Sequence, residues 1–166
     1  NEKELEELAM KVGSDVPFFI KNKTARVGGK GNKIELVENN LKDSLILVKP
    51  LGFGVSTKDA YNSFDELDEV RYSNFEKIVE CLRNDNRKDL EKYIENGLEQ
   101  GISERNADIK MFKAILNSVV PGKKFFMSGS GSTYYTFVTE IERSQIETRL
   151  RTFVDNVKII ISKTIN

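Results

Sequence analysis

The chain has 166 residues with 26 Lys plus Arg and 26 Asp plus Glu, so its formal net charge is zero. Without excess positive charge, nucleic acid is a poor candidate partner. The longest apolar runs, at 44–48 and 157–161, fall well short of the roughly 20 residues that span a bilayer. Histidine is absent, so zinc has few ligands and proton transfer is left to Asp, Glu, Lys or Tyr. The single cysteine, Cys81, suits a reducing compartment, and we expect a cytoplasmic protein.

The first residues already follow a helical pattern. Apolar side chains at helical spacing predict a helix over 2–12 that ends near Gly13, and they are Leu5, Leu8, Ala9 and Val12. Asn1 rather than Met stands first. We therefore expect an N-terminally truncated piece of a longer protein.

A short β-hairpin is predicted after this helix. Residues 15–20 are interpreted as extended chain, because they hold a proline among large apolar side chains. Two strands follow over 24–27 and 33–37, joined by the glycine-rich turn 28–32.

From Leu45 onward the pattern predicts a strand, several helices, two strands, a helix and a last strand. This order is typical of a ferredoxin-like βαββαβ domain with extra helices in the first crossover. We expect an α+β fold with one antiparallel sheet and helices on one face. The predicted elements are strand 45–48, helices 56–61, 75–82, 90–98 and 109–119, strands 124–128 and 133–138, helix 140–153 and strand 157–163.

A run of small residues at 128–133, called here the Gly/Ser loop, separates the two predicted strands of the second half. Its glycines permit a positive φ and close approach of the main chain to a ligand, and its hydroxyl and N–H groups can bind an anion such as phosphate. A simple β-hairpin turn remains an open alternative.

Asp15 is the first candidate for chemistry. It follows Gly13-Ser14 and precedes Val16-Pro17-Phe18-Phe19. A carboxylate that is buried among apolar neighbours can act as a base. The alternative is that Asp15 caps or tightens a turn.

Thr57 and Tyr61 form a second candidate pair. They are four residues apart and lie on one face of a predicted short helix, so the ring could stack on a planar base while the hydroxyl holds it. A capping Thr and a packing Tyr are the alternative. Residues 96–99 are interpreted only as a helix end, with Leu98 in the core.

Three segments of the chain resemble segments of the GHMP small-molecule kinases and follow one another in the same order. Two others resemble family segments with one change each: Asn32 replaces a glutamate in 28–32, and Gly97 departs from an Asn-Asp-Leu-Glu segment at 96–99. The similarity covers nearly the whole chain. The three principal segments are Gly13-Ser14-Asp15-Val16-Pro17-Phe18-Phe19, Pro50 through Gly54-Val55-Ser56-Thr57 to Tyr61, and Met127-Ser128-Gly129-Ser130-Gly131-Ser132-Thr133.

The resemblance is to the branch that transfers the γ-phosphate of ATP to the C2 hydroxyl of a cytidine diphosphate-linked methylerythritol, in non-mevalonate isoprenoid synthesis. It implies that Asp15 is the base, that Tyr61 stacks on the cytosine and that Thr57 contacts the substrate. ATP implies Mg²⁺, for which the sequence identifies no ligand. The resemblance also implies a phosphate cleft lined by Gly129, Ser130, Gly131, Ser132 and Thr133.

The family resemblance also implies a division of the chain. Residues 1–42 are expected to be the C-terminal remnant of a nucleotide-binding domain, and residues 43–166 the C-terminal kinase domain. In this family a lysine-bearing strand and a Gly/Ser-rich loop that wraps the ATP phosphates precede the Asp15 segment. Neither is present in the 166 residues, so we expect the chain alone to be inactive.

Two other functions remain open. A GHMP relative could act on another alcohol, such as homoserine or mevalonate, although residues 55–61 argue against it. A ferredoxin-like module could instead bind a small anion through the Gly/Ser loop without catalysis, but this leaves Asp15 and residues 1–42 unexplained.

Overall fold

The computed structural model describes residues 2–164. No helix in that range is long and apolar enough to cross a membrane. In chain order the elements are α1 Glu2–Val12, α2 Val16–Lys21, β1 Ala25–Gly28, β2 Lys33–Leu36, β3 Ser44–Pro50, α3 Thr57–Asp65, α4 Phe75–Arg83, α5 Arg87–Tyr93, α6 Gly97–Arg105, α7 Ala107–Val119, β4 Phe126–Met127, β5 Tyr134–Val138, α8 Glu140–Phe153 and β6 Val157–Lys163.

A four-stranded antiparallel sheet in the order β4-β5-β3-β6 carries the C-terminal part. The central strand β3 places Ile46 opposite Thr136 of β5 on one side and opposite Ile161 of β6 on the other. Alternate residues of β3, Ile46 and Val48, are fully buried on one face. The predicted α+β class and ferredoxin-like strand arrangement are confirmed.

Helices cover both faces of this sheet, so the expectation of helices on one face is wrong. The face that carries Ile46 and Val48 packs against α6, α7 and α8. The opposite face, which carries Phe137 of β5, packs against Cys81 of α4 and Leu90 of α5. The reason lies in β5, which is apolar on both sides of the pleat and therefore needs cover on both.

The N-terminal part contains two helices and a separate two-stranded sheet. Helix α1 and the β1–β2 hairpin are confirmed, and the hairpin pairs Val27 with Ile34. The extended interpretation of 15–20 is wrong, because Val16–Lys21 is helical. Pro17 lies in the first turn, where a helix does not need its missing N–H and where its fixed φ suits helical backbone. The boundary between 42 and 43 stays a prediction.

The single helix predicted over 90–98 is wrong, because these residues belong to two helices with a break between them. Helix α5 ends at Tyr93, Ile94 is extended at φ −76° and ψ 121°, and α6 begins at Gly97. The break occurs because the Asn96 side chain accepts a hydrogen bond from Glu99 N at 3.2 Å and so caps a new helix. The helix predicted to end near Tyr61 continues to Asp65.

Candidate active site

The Gly/Ser loop connects β4 to β5 as a hairpin in which Met127 pairs with Tyr134. Ser128 N donates to Thr133 O at 2.9 Å, and Gly131 N donates to Ser128 O at 3.0 Å. Gly129 and Gly131 have φ values of 57° and 90°, which side chains rarely tolerate. The loop is therefore a hairpin turn closed by backbone hydrogen bonds, and its anion-binding role stays a prediction.

The structure brings the Thr57 segment against this loop. The Thr57 Oγ1 and Ser130 Oγ atoms are 3.1 Å apart although the residues are 73 positions apart in the chain. The buried Ser132 hydroxyl donates to Phe53 O at 3.4 Å in the connection before α3. Two of the three segments singled out in the sequence therefore form one surface.

Thr57 and Tyr61 are both available to a ligand. Ser56 occupies the N-cap position of α3, so Thr57 is not the cap but the first helical residue. Tyr61 lies one turn further along and is 54% exposed, so it is not a core residue. Its ring is free to stack on a planar group near the Thr57–Ser130 contact.

Asp15 stands immediately before α2 and is exposed. It occupies the N-cap position of α2 and lies in a turn, but its side chain makes no capping hydrogen bond, so it does not cap the helix through its carboxylate. The burial among apolar neighbours that the sequence suggested is not found either. The carboxylate points to solvent and is free to meet a substrate.

The hairpin turn at 28–32 lies beside the Asp15 segment. Gly31 has a φ of 84°, and a Cβ atom there would overlap the carbonyl oxygen of Ser14. Only glycine permits this approach of the turn to the residue before Asp15. Within the described range, no hydrogen bond or ion pair joins Asp15 to Thr57 or to the Gly/Ser loop.

Asn96 holds the Gly/Ser loop, a role that the sequence interpretation missed. Its Nδ2 atom donates to Met127 O at 2.8 Å and to Gly129 O at 2.9 Å. The resemblance of 96–99 to a family segment indicated that this region matters, but from it only a helix end was predicted. Leu98 of the same turn is partly buried against the core, as expected.

Buried Glu99 supports the end of β4, at Met127, where the Gly/Ser loop begins. This residue is 8% exposed, and its Oε2 atom accepts a hydrogen bond from Met127 N at 3.2 Å while Oε1 pairs with Lys113 Nζ at 2.5 Å. Burial, together with the Glu99 charge, raises the pKa of Tyr135 to about 12. The tyrosine therefore stays neutral at physiological pH.

The fold is that of small-molecule kinases. A crystal structure of 4-(cytidine 5'-diphospho)-2C-methyl-D-erythritol kinase matches 98% of this chain and 57% of its own, with a TM-score of 0.75 at 22% identity. Homoserine kinase from Cytophaga hutchinsonii matches 92% of this chain and 52% of its own, with a TM-score of 0.69 at 16% identity. No protein-family model matches the chain.

Comparison of sequences indicates one kind of small-molecule kinase. The chain is 76% identical over all 166 residues to the 4-diphosphocytidyl-2-C-methyl-D-erythritol kinase of Fusobacterium nucleatum, covering 56% of that protein. It is 34% identical over 150 residues, 87% of this chain and 51% of the other, to the enzyme of the same name from Clostridium botulinum strain Loch Maree. By sequence the chain is related to these kinases over 87% to 100% of its length, which confirms the resemblance. It spans about half the length of these curated relatives.

Proposed function

We propose that this chain forms part of an enzyme that transfers the γ-phosphate of ATP to the C2 hydroxyl of 4-diphosphocytidyl-2-C-methyl-D-erythritol. The observation that carries the proposal is the 3.1 Å contact between Thr57 and Ser130, which joins two of the segments that resemble the kinase family. The 76% identity to a relative of that name supports the choice of substrate.

The Thr57–Ser130 surface binds the substrate in this proposal. Tyr61 stacks on the cytosine ring, which its 54% exposure allows, and the Thr57 hydroxyl contacts the same substrate. The Gly/Ser loop lines the phosphate cleft with donors other than Ser128 N, Gly131 N and the Ser132 hydroxyl, which already donate within the protein. Neutral donors of this kind stabilise phosphate charge without a covalent step.

Asp15 accepts the proton of the C2 hydroxyl in the proposed reaction. The hydroxyl oxygen forms a bond to the γ-phosphorus as the bond to the β,γ-bridging oxygen breaks, and ADP leaves. An exposed carboxylate that caps no helix is available for this task. In this proposal Asp15, at the start of α2, and the Thr57–Ser130 surface both contact the substrate.

ATP as co-substrate implies Mg²⁺, which would neutralise phosphate charge. Among residues 2–164, no group of three acidic, His or Cys side chains could hold a metal ion. Mg²⁺ beside a nucleotide needs only one or two protein carboxylates in addition to the phosphates, so its protein ligands stay unidentified and no step is assigned to the ion. We propose a cytoplasmic location, which the single cysteine of these 166 residues, free and buried Cys81, suits.

The test is a phosphotransfer assay on the natural full-length protein, with ATP and the cytidyl substrate and with homoserine and mevalonate as competitors. We expect kcat/KM for the cytidyl substrate to exceed the others by about a hundredfold or more, because a site built to hydrogen-bond a substrate group rejects analogues that lack it. Turnover of another alcohol alone would overturn the proposal. The 166-residue chain, assayed beside it, is expected to be inactive.

A further inference from the structure

Every hydrogen-bonding group of the Asn96 amide is engaged. A primary amide has two donor hydrogens and one carbonyl oxygen. Both hydrogens point to the Gly/Ser hairpin, at Met127 O and Gly129 O, and the oxygen accepts from Glu99 N. The reverse orientation of the amide would place an oxygen against two carbonyls and an NH₂ group against an N–H, so these three partners define its direction.

The two carbonyls bracket the start of the loop. Gly129 directly precedes Ser130, whose hydroxyl meets Thr57. Two glycines with positive φ give this loop a large conformational freedom in the absence of outside contacts. Contacts to Met127 O and Gly129 O remove part of that freedom at the end of the loop that leads to Ser130.

We infer that Asn96 is a positioning residue for the Gly/Ser loop, and that it acts through the loop without touching substrate. The consequence for catalysis rests on the proposed function, since it assumes that this loop lines the phosphate cleft. The contact itself does not depend on that function. Glu99, which accepts the Met127 N–H from the same helical turn, supports the same strand end.

The most informative variant is Asn96→Asp. Aspartate caps a helix as well as asparagine does, so the bond to Glu99 N is retained. The two donors are replaced by an oxygen that faces two carbonyl oxygens. Asn96→Ser is the second variant, because serine also caps the helix and removes both donors without adding charge.

Asn106→Asp is the matched control. Asn106 caps α7 by accepting a hydrogen bond from Ile109 N at 3.1 Å, just as Asn96 caps α6. In the part of the chain that the structure describes, the Asn106 side chain holds no loop. The control therefore carries the same chemical change at the start of the next helix.

Amide hydrogen exchange on the natural full-length protein tests the contact directly. In Asn96→Asp we expect the Ser128 and Gly131 amides to exchange about tenfold faster or more. Two hydrogen bonds are lost, and each contributes up to about a tenfold factor. The Glu99 amide keeps its protection. Asn96→Ser falls between wild type and Asn96→Asp, and Asn106→Asp leaves the loop unchanged. Unchanged exchange at Ser128 and Gly131 in Asn96→Asp overturns the contact.

Kinetics on the same proteins tests the positioning role. We expect kcat/KM for the cytidyl substrate to fall about tenfold in Asn96→Asp, while the pH profile keeps its shape because the base is untouched. Faster loop exchange with unchanged kinetic constants overturns the positioning role. An inactive wild-type protein overturns the proposed function instead, so the two failures are distinguishable.

Discussion

Asp15 remains the candidate base, although the structure does not show the burial that the sequence suggested. The sequence suggested either a base among apolar neighbours or a residue that caps or tightens a turn. The structure places Asp15 in the turn before α2, exposed and without a side-chain capping hydrogen bond. The carboxylate lies next to the 28–32 turn, which can approach Ser14 this closely only because residue 31 is glycine. Its role as a base stays a prediction.

Asp15→Asn in the natural full-length protein should lower kcat by about 10² to 10⁴, which is the range that general acid–base catalysis contributes. Nucleotide affinity should stay close to wild type because the amide has nearly the same shape. Turnover kinetics and nucleotide titration measure the two effects. Asp155→Asn, at another exposed aspartate, is the control. Wild-type turnover in Asp15→Asn would remove the residue from catalysis.

Tyr61→Ala should raise KM for the cytidyl substrate by at least about fivefold, because stacking of a base on an aromatic ring is worth about 1–3 kcal/mol. The KM for ATP should not change. Tyr72→Ala removes a tyrosine that is 77% exposed elsewhere on the surface and serves as the control. Equal effects of the two substitutions would show that Tyr61 has no specific contact with the base.

At the scale of elements, α3 and α6 share the most extensive helix–helix contact within residues 2–164. Gly101 of α6 allows it, since a Cβ atom there would lie 2.6 Å from the carbonyl carbon and oxygen of Ser63 in α3. Gly97 leaves room in the same way for the ring of Phe64. The departure from the family segment at position 97 thus has a packing explanation.

Gly101→Ala should lower the free energy of unfolding by about 1–3 kcal/mol. Alanine favours a helix by about 1 kcal/mol over glycine, but the new methyl group meets backbone atoms that cannot move aside. Gly54→Ala, where nothing lies within 4 Å of the added carbon, is the control for the added methyl group. Denaturant unfolding measures both. Equal or greater stability of Gly101→Ala would contradict the packing argument.

Periodicity was sufficient to predict most elements but not those that a single side chain decides. The sheet strands and α7 and α8 follow clear apolar patterns, and their predicted places are confirmed. Helix α2 was missed because Pro17 was interpreted as a sign of extended chain, although proline also suits a first helical turn. The break before α6 depends on the Asn96 cap, and the contact of Thr57 with Ser130 depends on tertiary folding, so neither is visible in local sequence.

At the scale of the whole molecule, a network of charges joins the start of the sheet to helices on two sides. Arg87 of α5 donates to Asp43 at 3.0 Å and to Glu142 of α8 at 3.1 Å. Burial alone would raise the pKa of Glu142, but hydrogen bonds from Lys123, Thr139 and Arg87 outweigh it and lower that pKa to about 2. The ionised carboxylate is thus favoured in the folded state.

Glu142→Gln should reduce the free energy of unfolding by on the order of 1 kcal/mol at neutral pH, a small value because the glutamate is 36% exposed. The ordinary pKa of 4.5 lies above the folded value, so this stabilisation is complete above about pH 5 and is lost as the pH falls toward 2. Unfolding measured from pH 2 to 7 should show the two proteins converging at low pH. Glu140→Gln, an exposed neighbour on α8, is the control. A difference independent of pH would contradict the assignment.

Helix α6 supports both parts of the Thr57–Ser130 surface. Its cap fixes the Gly/Ser loop, and its glycines seat α3, which carries Thr57. A rigid displacement of α6 would therefore carry α3 and the loop in the same direction and preserve the distance between Thr57 and Ser130. Across crystal structures with different ligands, the distance from Thr57 Oγ1 to Ser130 Oγ should therefore stay near 3.1 Å.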